Sequence, residues 1–285
     1  MKRLVVVLAV IGLLTIGVWA ECCCSQDTLD RNLIWGGVPV PEVPSDQETS
    51  DEVVVLANET YIVGYSNTRM NPLWVCYRLS SCCNGGARPD FQWRSDCRTS
   101  ACVCSDDFTH TIYHRAHMAP KEAMFQCYGI LGIYESFLLS NACPQFGEFN
   151  SGIWRRLEQI IREEYAGAGR SLWIITGPVF DDSNGCGLVG KDEGFSHWPQ
   201  NPVEVPDQFY KIIVDLGDEP EILAFLLRHS RETTTQTNSR TTTQRLEEAI
   251  VSVDLIEEAT HLDFFPCLDD LLESKIESIC ASGLW

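Results

Sequence analysis

The sequence has few basic residues for its length. It contains 21 Lys and Arg against 40 Asp and Glu in 285 residues, a formal net charge of -19. Proteins that bind nucleic acids over a wide surface usually carry a basic footprint. The composition therefore argues against such a surface. The composition does not exclude a local cationic pocket, because six arginines lie between Arg88 and Arg156.

Long apolar segments are also scarce. The one nearly unbroken run, Leu4 to Val18, follows two basic residues and ends just before Ala20. This layout is typical of a secretory signal peptide. The run of about 15 residues is shorter than the roughly 20 that span a bilayer. We therefore predict a signal peptide over residues 1–20 and a secreted protein that is free of the membrane, with an uncleaved anchor as the alternative.

Zinc-binding spacings are absent as well. The chain has 14 cysteines, but no paired CxxC motifs and no CxxC followed by spaced histidines. An even number of cysteines suits disulfides in an oxidising compartment. Five of them lie between Cys82 and Cys104, where the sequence shows little periodicity. This pattern predicts a disulfide-rich protein with a long, disulfide-held loop, whose pairing the sequence does not give.

The predicted strands and helices do not alternate as in a βαβ fold. Apolar residues at helical spacing up to Tyr165 predict a helix capped by Asn150 or Ser151. Mixed elements without a βαβ rhythm indicate an α+β fold. Short apolar or β-branched runs predict strands at 53–56, 61–65, 73–77, 172–176, 209–214 and 222–227.

The chain divides into a few segments by composition. Residues 21–52 are acidic and proline-rich in their second half, which predicts a loose N-terminal segment. Residues 53–285 are predicted to form a single domain. A threonine-rich stretch within it predicts a mobile loop at 231–245.

Three spaced motifs carry residues suited to hydrolytic chemistry. The first is His114-Arg115-Ala116-His117, which follows a strand-like segment. The second, Ser140-Asn141, is followed by Pro144-Gln145. In the third motif, Asn150 lies nine residues after Asn141. Glu158 lies eight residues after Asn150 and follows Trp154 and Leu157 in the sequence.

These motifs resemble those of the DNA/RNA non-specific endonucleases of the ββα-metal (His-Me finger) class. The pattern of that family runs Asp-Arg-Gly-His, then Ser-Asn and Pro-Gln, then Asn, Trp and Leu-Glu. The likeness extends over roughly residues 50 to 268. It implies a ββα-metal nuclease core, a central and mostly antiparallel sheet flanked by helices, and hydrolysis of phosphodiester bonds in DNA and RNA. No recognition helix, zinc finger or RRM-like aromatic pair accompanies it, so sequence-independent cleavage is expected.

The resemblance implies a role for three residues in the reaction itself. His117 is expected to be the general base, since neutral imidazole accepts a proton near neutral pH. Asn150 is expected to be the protein ligand of a hydrated Mg²⁺ ion, with Mn²⁺ or Ca²⁺ as alternatives, and one protein oxygen suffices for such an ion. Glu158, about two turns along the same helix, is expected to reach the metal through a water.

Three further residues are implied to handle the substrate. Arg115, beside the base, is expected to hold a phosphate oxygen with its forked donors. The family likeness suggests Arg88 for a similar task. Asn141 is expected to orient the pocket and to contact substrate there.

The chain departs from the family pattern at two positions. His114 stands where the family has Asp, and Ala116 where it has Gly. A catalytically weakened extracellular nucleic-acid-binding or cysteine-rich interaction protein on the same scaffold is therefore the alternative function. If the segment is extended, His114 and His117 point to opposite faces. If Ala116 bends the chain, both rings approach the metal.

Overall fold

The computed structural model describes residues 34–42, 53–81, 87–100, 103–180, 187–188, 203–217, 219–231 and 239–285. The strands are β1 (Val40–Pro41), β2 (Val53–Ala57), β3 (Ile62–Ser66), β4 (Asn71–Leu79), β5 (Tyr113–His117), β6 (Ala142–Phe146), β7 (Leu172–Val179), β8 (Gly187–Leu188), β9 (Glu204–Val205), β10 (Gln208–Leu216), β11 (Pro220–Arg228), β12 (Ile250–Val251) and β13 (Leu262–Asp263). The helices are α1 (Lys121–Ser136), α2 (147–165), α3 (Ser239–Glu247), α4 (Val253–Thr260) and α5 (Asp270–Glu277). Short 3₁₀ turns lie at Ser105–Phe108, Leu139–Asn141 and Ala166–Ala168.

Within the described residues, seven strands form one antiparallel sheet in the order β12-β11-β10-β7-β4-β3-β2. Three two-stranded ladders, β1-β13, β5-β6 and β8-β9, lie outside it. The central strands are apolar almost throughout because both faces of the sheet are covered. The predicted α+β class and the antiparallel sheet flanked by helices are confirmed.

Alternation along β10 separates two cores on the two faces of the sheet. Phe209 and Ile213 belong to the core beneath β5, β6 and α2. Tyr210, Ile212 and Val214 belong to the core covered by α4 and α5. The two sets of flanking elements are therefore separated by the sheet.

The threonine-rich segment departs from its prediction. We expected a mobile loop over 231–245, but α3 covers Ser239–Glu247, and residues 232–238 lie outside the described part. Leu246 is fully buried in the core beneath the ββα elements. Tertiary burial of this one leucine overrides the low helix propensity of the threonines.

The cysteines support the disulfide prediction only in part. Cys267 takes part in a disulfide. Cys97 and Cys104, both in the predicted disulfide-held loop, are free thiols, as are Cys143 and Cys280. The predicted signal peptide lies outside the described residues. Among the helices that are described, none is both long and apolar enough to cross a membrane.

Candidate active site

Strands β5 and β6 and helix α2 form a compact ββα unit on one face of the sheet. The two strands pair antiparallel, with His117 opposite Ala142, and the chain passes from β6 directly into α2. Ala116 from β5 and Trp154 and Leu157 from α2 are buried in the core below. These apolar anchors fix the unit on the sheet, so that polar residues of β5 and α2 line one cavity above it.

Asn141 fixes the segment that follows His117. Its Oδ1 accepts a hydrogen bond from the Ala119 N–H at 2.8 Å, and its Nδ2 donates to the carbonyls of Ala119 and Ser136 at 3.1 and 2.9 Å. The residue is 0% exposed. These contacts make Asn141 a positioning residue for the segment after His117, and its contact with substrate stays a prediction.

A cavity of about 740 Å³ lies above the ββα unit. Four of the residues singled out from the sequence line it, namely Arg115, His117, Asn150 and Glu158. Arg88 does not line it. The other ionisable residues of its wall are His114, Lys121, Glu122, Arg155, Arg162 and Glu163.

His117 is packed between two aromatic rings at the end of β5. Its ring centroid lies 4.3 Å from that of Trp93 and 4.9 Å from that of Phe137. The Nε2 atom is buried without a hydrogen-bond partner among the described residues, whereas the ring as a whole is only half-buried and faces the cavity. Burial, followed by the charges of Lys121 and Arg88, lowers the pKa of His117 to about 3. The imidazole is therefore neutral at physiological pH.

Asn150 lies in the first turns of α2 and contacts His114. The Nδ2 atom of Asn150 is 3.3 Å from the Nδ1 atom of His114. A Cβ atom at Gly147 would lie 2.9 Å from Nε2 of His114, so the missing side chain makes room for this ring. No hydrogen bond from a described residue engages Oδ1 of Asn150, which leaves this oxygen available as a ligand.

Glu158 lines the cavity and interacts electrostatically with a buried lysine, Lys211. Lys211 is 0% exposed, its Nζ donates to Thr176 Oγ1 at 3.0 Å, and it lies 4.4 Å from the ring centroid of Trp154. Burial raises the pKa of Glu158, while the charges of Lys211 and Arg162 oppose the rise. Burial likewise lowers the pKa of Lys211 against the opposing charge of Glu158. Each group thus favours the charged form of the other.

The two predicted arginines occupy different places. Arg115 lines the cavity, and its Nη1 donates to the carbonyl of Ser105 at 3.1 Å and contacts the hydroxyl of the same residue. Arg88 lies behind the wall, where its Nη1 is 3.1 Å from Glu122 Oε1. Its charge nevertheless reaches His117 and lowers the pKa of that ring.

A sequence model of the DNA/RNA non-specific endonucleases matches residues 43–271, which is most of the chain. The chain belongs to this family. The match includes β5, β6 and α2, and with them every residue that we singled out for the site.

Named relatives agree with the family assignment. The mitochondrial nuclease EXOG of zebrafish (Danio rerio) is 29% identical over 77% of this chain and 62% of its own length. The chain thus spans less than two thirds of that relative. A nuclease of the cyanobacterium Nostoc is 27% identical over 81% of this chain and 79% of its own length. Among solved structures, EndoG in its complex with EndoGI matches with a TM-score of 0.61 and 21% identity, over 75% of this chain and 86% of that one.

The relatives correct the predicted location of the protein. The matching nucleases of zebrafish, human and yeast are mitochondrial by name. The prediction of a secreted protein is therefore wrong. A signal-like N-terminus and an even cysteine count were its only support, and neither distinguishes export from other targeting.

Sequence reasoning missed several charged residues of this candidate site. Arg155 and Arg162 lie three residues before and four residues after Glu158 on α2, and that spacing brings side chains to one side of a helix. The spacing was therefore a usable signal. Lys211 was also visible, as a lone charge inside the apolar run of β10. Trp93 carried no signal, because only the fold brings its loop to His117.

Proposed function

We propose that the chain is a sugar-non-specific endonuclease that hydrolyses phosphodiester bonds in DNA and RNA. The observation that carries the proposal is the single cavity that collects Arg115, His117, Asn150 and Glu158. Phosphodiester hydrolysis requires a group that takes a proton from water and groups that offset charge on the phosphoryl and leaving oxygens. The four residues supply these groups.

His117, whose ring lines the cavity, acts as the general base. Because the pKa of His117 is lowered to about 3 by burial, the ring needs no prior deprotonation. It takes the proton of the attacking water as the new P–O bond forms.

The donor atoms at the cavity suit a hard divalent cation. Asn150 Oδ1 would be an inner ligand, and the Glu158 carboxylate would hold a water of the same ion. Both are oxygen donors, which fits Mg²⁺ and also admits Mn²⁺ or Ca²⁺. When bound, the ion offsets the negative charge that develops on the leaving oxygen.

The cationic side chains at the cavity would contact phosphate rather than bases. Arg115 is held by Ser105 with its remaining N–H donors available, and Lys121, Arg155 and Arg162 line the same wall. Contacts to phosphate carry no direct sequence information. A local group of this kind explains how a chain with a net charge of -19 engages a polyanion.

The alternative function, a catalytically weakened binding protein, rests on His114 and Ala116. Ala116 is buried in the core, and His114 contacts Asn150 without displacing it from the cavity. The two replacements leave His117 and Asn150 on one wall. This arrangement favours the enzyme.

Cleavage of supercoiled plasmid DNA and of single-stranded RNA tests the proposal. We expect both substrates to be cut with Mg²⁺ and spared with EDTA. His117→Ala should lower kcat by about 10²–10⁴-fold while retaining binding in a mobility-shift assay. His261→Asn, a change at an exposed histidine outside the cavity, is the matched control. Binding without cleavage by the wild-type chain, with Mg²⁺, Mn²⁺ or Ca²⁺, would favour the alternative function.

A further inference from the structure

A second group of carboxylates lies across the central sheet from the cavity. Asp254 and Glu257 are three residues apart on α4, and Asp263 ends β13. Glu273 and Glu277 are four residues apart on α5. These spacings bring each helical pair to one side of its helix, and α4 and α5 pack on the face of the sheet opposite the ββα unit.

The five side chains form two overlapping triads that share Glu277. One carboxylate oxygen from each of Asp254, Glu257 and Glu277 lies within 4.8 Å of the other two. The same holds for Asp263, Glu273 and Glu277. Glu277 therefore directs its carboxylate into the middle of the group.

Only one backbone hydrogen bond in the described part of the chain engages this group: the Phe264 N–H donates to Glu257 Oε1 at 2.8 Å. No Lys, Arg or His of the described ranges lies within ion-pair distance of the five. Glu277 is only 7% exposed, and its Oε1 is buried without a hydrogen-bond partner in the described part of the chain. The Oε1 of Glu273 is buried and unpartnered in the same way. A buried, unpaired carboxylate is strongly unfavourable, so these oxygens require either protons or a cation.

We propose that Asp254, Glu257, Asp263, Glu273 and Glu277 bind a Ca²⁺ ion that ties α4, β13 and α5 together, apart from the nuclease site. The donor set consists of oxygens alone, which excludes the softer metals that select nitrogen or sulfur.

The number and kind of the donors favour Ca²⁺ over Mg²⁺. Ca²⁺ takes 6–8 oxygen ligands, carboxylates among them, in flexible geometry, and the two triads supply carboxylates from α4, β13 and α5. Mg²⁺ demands near-octahedral geometry and releases its waters reluctantly, so it suits a group of several carboxylates less well.

Protonation is the competing account of the same geometry. Burial and the neighbouring carboxylates raise the pKa of Glu277 to about 8, and burial raises that of Glu257 to about 7. If protons alone neutralise this group of carboxylates, added Ca²⁺ would not stabilise the folded protein. The two accounts therefore differ in a measurable way.

Thermal unfolding of the full chain after EDTA treatment and dialysis tests the proposal. The parent is the Asn150→Ala variant, in which the cation of the nuclease cavity loses its inner ligand. We expect Ca²⁺ at about one hundred times its Kd to raise Tm by roughly 5 °C or more, and Mg²⁺ to raise it less. Equilibrium dialysis should recover one Ca²⁺ per chain.

Three further variants in this background locate the effect. Glu277→Gln should abolish the Ca²⁺-dependent rise in Tm, yet fold at least as well as the parent without metal, because it removes a buried charge. Asp254→Asn, at an exposed ligand, should weaken Ca²⁺ binding with little risk to folding. Glu258→Gln, also exposed on α4, should behave as the parent. No Ca²⁺-dependent rise in the parent, or an equal rise in Glu277→Gln and Asp254→Asn, overturns the proposal.

Discussion

His229 contacts the junction between β6 and α2. We expect its protonation at acid pH to lower the stability of the ββα unit. Its Nε2 accepts a hydrogen bond from the Phe146 N–H at 2.8 Å, and its Nδ1 lies 2.7 Å from the carbonyl of Pro206. These partners require the neutral ring with its proton on Nδ1. The ring also stacks on Phe146 at 4.4 Å. Burial lowers the pKa of His229 to about 4.

The size of the effect follows from this pKa. The unfolded chain binds the proton near pH 6.5, whereas the folded chain resists it until about pH 4. The contribution of His229 to stability is therefore fully present above about pH 6.5 and is lost as the pH falls toward 4. At about 1.4 kcal/mol per pKa unit, the loss over this window is about 3 kcal/mol.

Urea unfolding at pH 7, 6, 5 and 4 measures this loss of stability by comparison with a variant that has no titratable side chain at position 229. In His229→Gln, the amide can still donate to the Pro206 carbonyl and accept from the Phe146 N–H. We expect the free energy of unfolding of the wild type to fall by about 3 kcal/mol more than that of His229→Gln between pH 7 and 4. His110→Asn, at an exposed histidine with positive φ that Asn tolerates, should follow the wild type. Parallel curves for wild type and His229→Gln would refute the reasoning.

The remaining predictions concern the cavity. Asn150→Ala should raise the Mg²⁺ concentration needed for half-maximal rate by tenfold or more, and an unchanged titration would place the ligand elsewhere. Lys211→Met removes the charge that favours ionised Glu158, so the acid limb of the pH-rate profile should move to higher pH; a shift to lower pH would contradict the coupling. His114→Asp adds a negative charge beside Asn150, so we expect tighter Mg²⁺ binding, and equal affinities in both proteins would show that His114 does not act on the metal.

The fold class could be predicted from the sequence because the strands of the central sheet are unusually apolar. The run from Phe209 to Val214 predicts a buried strand whatever its neighbours, and the structure extends it to Gln208–Leu216. Helix α2 was predicted less well, since it begins at Gly147 rather than after a cap at Asn150. Its N-terminal turns pack Phe149 into the core, and burial of this kind leaves no capping signal in the sequence.

The detailed geometry of α2 could not be predicted from the sequence, for a different reason. Residues 150–154 and 160–165 wind as π-helical turns, and the backbone at Gly152 departs from helical angles. A regular α-helix would set the angle between Asn150 and Glu158 by 3.6 residues per turn. The wider turns change that angle, and only the packing of Trp154 and Leu157 decides which side of the helix faces the cavity.

The periodicity of a β-strand does not predict the position of His114. Alternation along β5 places His114 and His117 on opposite faces, and Ala116, which shares a face with His114, is indeed buried. Both histidines nevertheless line the cavity, because α2 starts beside β5 and the absent side chain of Gly147 admits the ring of His114. The departure from the family pattern thus lies against Asn150. An imidazole stands there in place of a carboxylate, so we expect the consequence to fall on the cation and its ligand rather than on the base.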